Sequence, residues 1–163
     1  MISNKKTNYQ AFTLMELMIV IVIIGILSAI GMVMFGGQAE KAKIAVAKSN
    51  HKSATKYIKI EVMKCDLGET SVMEGNLNCS SVTGVNIAKA AVAALSDFKN
   101  PYNAKQTAIV NYSVGTGADD NAGLIGIVGR NTTSGTMKVN VNSCVKIPCN
   151  PGENRIHSTL TFW

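Results

Sequence analysis

No charged side chain occurs between Leu17 and Ala39, and no proline occurs before Pro101. Aromatic residues make up only 6% of the 163-residue sequence. The run Leu17–Phe35 contains 19 uncharged residues, close to the roughly 20 that cross the hydrocarbon core of a bilayer. A water-soluble N-terminal region is therefore excluded, and the sequence predicts one transmembrane helix. Two lysines at positions 5 and 6 predict that the N-terminus lies in the cytoplasm.

Signatures of catalysis and of metal binding are also missing. The two histidines, His51 and His157, are far apart in sequence and have no recognisable acid or nucleophile arrangement around them. The stretch Asp119-Asp120-Asn121 lacks the spaced acids of an EF-hand calcium loop. We therefore expect no enzyme activity, no cofactor and no metal site.

The chain contains four cysteines, all after the apolar run, at Cys65, Cys79, Cys144 and Cys149. An even number on the exported side of a membrane favours disulfides formed in an oxidising compartment. Three pairings are open, and the simplest joins sequence neighbours, Cys65 with Cys79 and Cys144 with Cys149. Zinc is the alternative, with His157 nearby, but no Cys-x-x-Cys pair occurs and the spacings match no standard zinc site.

The formal net charge is +6, but two of the lysines precede the apolar run. Without them the chain has 16 − 2 = 14 basic and 10 acidic side chains, a net charge of +4. Such an excess attracts anionic surfaces at long range. It is too dispersed in the sequence to identify a nucleic-acid binder, because DNA binding requires a clustered basic patch on the folded domain.

The N-terminal apolar run is preceded by Ala11-Phe12-Thr13-Leu14-Met15-Glu16. A secretory signal cut near Gly37-Gln38-Ala39 and a plain membrane anchor are two interpretations, but neither accounts for Glu16. An acid in a membrane segment is unfavourable unless a partner compensates it. Cleavage before Phe12 would create an α-amine four residues from Glu16, and the amine of an adjacent subunit would serve equally well. The acid is therefore best interpreted as an assembly device.

This N-terminal segment resembles the processing motif of type IV pilins and pseudopilins. The resemblance implies that a prepilin peptidase removes residues 1–11 as a leader by cutting between Ala11 and Phe12, and that it N-methylates Phe12. It also implies that Glu16 pairs with the N-terminal amine of a neighbouring subunit. Two features depart from the family pattern: Ala11 replaces the usual glycine, and the apolar helix lacks the proline found in many pilins.

The family resemblance implies a helical filament of identical subunits, assembled from the inner membrane by an ATPase and a platform protein. The protein would be a single-pass inner-membrane protein before assembly and part of an extracellular pilus afterwards. The expected function is that of a type IV pilus subunit serving adhesion, surface (twitching) motility or DNA uptake. The alternatives are a type II secretion pseudopilin and a membrane-anchored periplasmic binding domain that does not polymerise.

Residues 40–163 form the expected pilin head domain, and residues 12–39 the transmembrane and filament-core half of the N-terminal helix. After Glu40 an apolar stripe repeats every three or four residues, and lysines lie mostly on the other side; the stripe consists of Ile44, Ala47, His51, Ala54, Ile58 and Val62. This helical periodicity predicts one helix from Phe12 to Lys64. A loop and a helix over 87–98, capped by Asn86, should follow. Four strands are then predicted, at Thr107–Val114, Gly123–Gly129, Met137–Val141 and Ile156–Phe162. The expected fold is α+β: a long helix whose apolar half protrudes and whose second half packs on a four-stranded antiparallel sheet.

Overall fold

The computed structural model describes residues 12–35, 37–114, 121–132, 135–149 and 153–163. The chain divides between Ala39 and Glu40 into two compact units. The proposed leader, residues 1–11, lies outside the described residues. The helices and strands, in chain order, are α1 (Leu14–Phe35), α2 (Gln38–Asp66), β1 (Ser71–Val72), β2 (Leu77–Asn78), a 3₁₀ turn (Cys79–Ser81), α3 (Gly84–Ala94), β3 (Ile109–Val110), β4 (Ile125–Asn131), β5 (Met137–Cys144) and β6 (Arg155–Phe162).

Helix α1 is apolar on every side. Its side chains from Leu14 to Ile30 are exposed within the protomer, and the stretch Leu14–Gly31 is long and apolar enough to cross a membrane. A helix with no polar face has no surface to present to water. Helix α1 therefore requires lipid or other apolar helices around it.

The single helix expected from Phe12 to Lys64 is wrong in one respect, because α1 ends at Phe35 and α2 begins at Gln38. Gly37 lies in a turn between them. The sequence there is Gly36-Gly37, and consecutive glycines have low helix propensity because fixing their backbone loses the most conformational entropy. Helix α2 ends at Asp66, and Gly68 follows with a φ of 95°, as is common just after a helix.

One face of α2 covers the core of the second unit. The predicted stripe is buried at five of its six positions, Ala47, His51, Ala54, Ile58 and Val62, and Ile44 is half-buried. Its repeat of three or four residues places it on one side of the helix. The buried hydrophobic residues that share this core come from the hairpin, α3 and the sheet; they include Met73, Leu77, Ile87, Ile125, Ile127, Val139, Val141 and Leu160.

The four-stranded sheet is mixed, and the expected all-antiparallel arrangement is wrong. Strands β4, β5 and β6 form an antiparallel meander, but β3 pairs with β4 in parallel. The 14 residues 111–124 between them are long enough for the crossover that a parallel pair needs. Ile125 N donates to Ala108 O at 2.7 Å. Alternating hydrophobicity does not encode strand direction, and the predicted strand Thr107–Val114 is reduced to Ile109–Val110.

The segment after α2, expected to be a loop, contains the short antiparallel hairpin β1–β2. Met73 and Glu74, at its turn, have φ of 54° and 58°, a left-handed conformation that is unfavourable for residues with a Cβ. Glu61 of α2 holds the turn, because its Oε2 accepts a hydrogen bond from Met73 N at 2.6 Å, and it also pairs with Lys64. Burial raises the pKa of Glu61, but the bonds from Lys64 and Met73 outweigh burial and lower it.

Helix α3 packs closely on β4 at two glycines. Thr83 caps α3 by accepting from Asn86 N at 3.1 Å, so the helix begins earlier than the expected Asn86 cap and ends at Ala94. A Cβ on Gly129 of β4 would overlap the carbonyl of Gly84, the first residue of α3. The absence of both side chains allows the two backbones to approach each other.

The structure contains two disulfides, Cys65–Cys79 and Cys144–Cys149, with Cα–Cα distances of 5.3 and 5.4 Å. The first joins the end of α2 to the residue after β2. The second follows β5 and is buried in a small satellite cluster with Val114 and Leu124.

Candidate assembly and processing site at the N-terminus

The residues expected to act in processing and assembly lie at the start of α1. Phe12 is 88% exposed, and Glu16 lies in the first turn of α1. Ala11, on the other side of the expected cleavage point, lies outside the described residues. Of the two residues that the expected cleavage would separate, the structure therefore describes only Phe12, which is exposed in the protomer.

Glu16 and Thr13 form a reciprocal capping arrangement. Glu16 Oε2 accepts from Thr13 N and from Thr13 Oγ1, both at 2.9 Å, and Thr13 Oγ1 accepts from Glu16 N at 3.2 Å. This is the capping box of a Thr-x-x-Glu sequence, which satisfies donors that a helix start leaves unpaired. Sequence reasoning missed Thr13, although the spacing Thr13-Leu14-Met15-Glu16 carries the signal.

The carboxylate of Glu16 has hydrogen-bond donors, but no cation of the described residues forms an ion pair with it. Among the described residues the one ion pair is Lys64–Glu61. A carboxylate in the first turn also interacts favourably with the helix dipole. Glu16 therefore stabilises the start of its own helix and keeps a charge that a cation of another molecule can neutralise.

Comparison with known protein families gives one match. Residues 6–32 match the family model described as the prokaryotic N-terminal methylation motif. The N-terminus is that of a prepilin of the type IV pilin and pseudopilin family. No curated protein and no solved structure matches the chain. The motif implies processing of this prepilin by a prepilin peptidase, and together with α1 it fits anchoring in the inner membrane before assembly.

Other residues singled out from the sequence lie apart from this site. Most of Asp119-Asp120-Asn121 falls outside the described residues. Within the described part of the prepilin, no group of three or more His, Cys, Asp or Glu side chains is placed to hold a metal ion. The family is one of structural subunits and not of enzymes.

His51 of α2 forms a buried polar contact with the sheet. Its Nδ1 lies 2.6 Å from Ser143 Oγ of β5, and its Nε2 lies 2.8 Å from Ser158 Oγ of β6. A neutral imidazole has one donor and one acceptor, and each serine hydroxyl can supply the complementary role. Burial lowers the pKa of His51, and the charge of His157 lowers it further.

We expect the free energy of unfolding to fall as the pH drops below about 6.5, the ordinary histidine value. In that range the unfolded chain binds a proton at His51 that the folded chain resists, so protonation favours unfolding until the lowered folded pKa is reached. Urea unfolding of the detergent-solubilised protein at pH 7.5 and pH 5.5, about one unit either side of that value, measures the effect.

The matched variant for this test is His51→Gln, whose amide keeps one donor and one acceptor but binds no proton. It should show a smaller loss of stability between the two pH values than the wild type. An identical pH dependence in both proteins would show that His51 is not the group responsible.

Proposed function

We propose that this prepilin, after loss of residues 1–11, is the structural subunit of a type IV pilus. The observation that carries the proposal is an apolar helix, exposed from Leu14 to Ile30, that begins with the acid Glu16. Among the described residues no cation pairs with this acid. Such a helix needs apolar surroundings, and lipid supplies them before assembly. The same helices of other subunits supply them within a filament.

The charge of Glu16 gives this packing a register. Methylated Phe12 would carry the new, positively charged α-amine. The carboxylate of Glu16 in a neighbouring subunit would form an ion pair with this amine in an environment without water. An unpaired charge is strongly disfavoured in such surroundings. Docking positions in which this ion pair does not form would therefore be energetically unfavourable. The capping bonds from Thr13 hold the carboxylate at the helix start until docking.

In this proposal residues 12–39 form the filament core and residues 40–163 form the head domain on the outside. The two disulfides join chain segments at the end of α2 and after β5, and they would resist unfolding of these two regions. Assembly would use an inner-membrane platform protein and a cytoplasmic ATPase. The filament would serve adhesion, surface motility or DNA uptake.

The test is the intact mass and N-terminal sequence of the mature protein from cells that contain a prepilin peptidase, together with its recovery in sheared surface filaments. We expect a chain that begins at Phe12 with one added methyl group. Ala11→Gly should be processed at least as fast, and Ala11→Val more slowly, because a branched side chain fills the space of a small one. A mature chain that begins at Glu40, or that retains Met1, would contradict the proposal.

A further inference from the structure

A row of lysines occupies one exposed side of α2. Lys48, Lys52, Lys56 and Lys59 are all exposed, and their spacing of four, four and three residues places them on one side of a helix. We call these four residues the lysine face. From Lys48 to Lys59 it covers 12 residues, which separates its two ends by about 16 Å along the helix at 1.5 Å per step. The basic residues that are scattered in the sequence are thus aligned here by the helix.

No carboxylate of the described residues is paired with the lysine face. None of its four ammonium groups forms an ion pair with a carboxylate of the described residues, where the one ion pair is Lys64–Glu61. A surface groove of about 340 Å³ runs beside it, lined by His51, Lys52, Thr55, Lys56, Lys59 and Ser158. Three lysines of the face and Ser158 therefore line one groove, which has room for an anionic group.

We propose that the lysine face and this groove bind the phosphodiester backbone of a nucleic acid. Lysine is a compact point charge suited to phosphate, and a line of such charges is complementary to a polymer with a phosphate at every repeat. Among the described residues, no arginine or aromatic side chain belongs to the face or lines the groove. Base stacking and bidentate base contacts are therefore absent, and binding would be independent of sequence.

Two other partners fit the face less well. A membrane surface is usually bound by an amphipathic helix that inserts its apolar face, but the apolar face of α2 is covered by the domain core. A second copy has the same charge excess, since residues 40–163 contain 14 basic and 9 acidic side chains, a net charge of +5. Copies meeting at this face would bring like charges together.

The proposal names a partner for the proposed pilus subunit, but the binding itself can be tested before any filament forms. The probe is a fluorescein-labelled duplex of about 20 base pairs, whose anisotropy is measured with the full chain in a non-ionic detergent. If four phosphates are neutralised, affinity should fall roughly 100-fold between about 50 and 200 mM salt, because log K changes with log salt by about −0.9 per phosphate.

The decisive variant is Lys52→Gln/Lys56→Gln, and its matched control is Lys89→Gln/Lys105→Gln, which removes the same charge at two exposed positions outside α2. The first should bind at least about tenfold more weakly and lose about two units of salt slope. The control should bind within about threefold of the wild type, since it loses only long-range attraction. Equal weakening in both variants, or an affinity that does not change with salt, would overturn the proposal.

Phosphatidylglycerol vesicles provide the second probe. Binding to vesicles without binding to the duplex would assign the lysine face to a membrane surface and overturn the proposal. Failure of nucleic-acid binding is distinguishable from failure of filament assembly. Lys52→Gln/Lys56→Gln should still assemble, and a Glu16 variant should still bind the duplex.

Discussion

Replacing Glu16 with glutamine is expected to reduce surface filaments by at least about thirtyfold, the lower range for losing one member of a buried charge pair in an association. Glutamine keeps a side-chain oxygen that can accept the bonds that Thr13 now donates to Glu16. It carries no charge to pair with the α-amine of a neighbouring Phe12. Filaments are measured by immunoblotting of the sheared fraction, and membrane insertion by blotting of whole membranes.

Thr13→Val is the matched control, because it removes the hydroxyl of the capping box and leaves the charge of Glu16. It should weaken the start of α1 by about 1 kcal/mol, as for other lost caps, and still give filaments. If Thr13→Val abolishes filaments and Glu16→Gln does not, the carboxylate acts as a helix cap and not as a docking charge. The role proposed for Glu16 would then be incorrect.

The largest expected loss of stability comes from Gly129→Ala. The new Cβ would overlap the Gly84 carbonyl and lie 2.7 Å from Val85 N. Strand β4 cannot move away easily, because it is paired on both sides, with β3 and β5. The N-terminus of α3 is also tied to this strand, since Gly84 N donates to Asn131 Oδ1 at 2.7 Å. Overpacking of this kind costs about 3 kcal/mol or more when neighbours cannot shift.

Thermal unfolding followed by circular dichroism should show a Tm lowered by about 10 °C for Gly129→Ala, given the usual few degrees per kcal/mol in a domain of this size. Gly37→Ala is the control, because nothing lies within 4 Å of a Cβ at that position. Its Tm should be close to that of the wild type. A Gly129→Ala protein that unfolds at the wild-type temperature would contradict the close approach of α3 and β4.

The sequence predicted the helices and most strands because their signals are local. The apolar run gives α1, and the repeat of Ala47, Ala54 and Ile58 gives the buried face of α2. The parallel pairing of β3 was not predictable, because side-chain alternation is the same in both strand directions. The hairpin β1–β2 was missed because each strand has only two residues and its turn depends on a hydrogen bond to Glu61, 12 residues before Met73.

For the candidate site, the sequence indicated Phe12 and Glu16 because an acid at the edge of an apolar run is unusual. Their roles remain proposals, and the contact that the structure adds is the capping bond with Thr13. The lysine face could be predicted only in part from the sequence. The periodicity separated the lysines of α2 from its apolar stripe, but the groove beside them needs Ser158, which is 107 residues from His51 and reaches it only in the folded sheet.

The disulfides have a consequence for the biogenesis of the protein. Each bond joins cysteines that are close in sequence, 14 and 5 residues apart, and loops of about 10 residues close within roughly 100 ns. Oxidation of Cys65 and Cys79 therefore needs no residue beyond position 79. In the proposed topology residues 40–163 would cross the membrane from their N-terminal end, and this bond would form while the sheet strands are still crossing. The two cysteine pairs would then be oxidised one after the other, in the order in which the chain emerges.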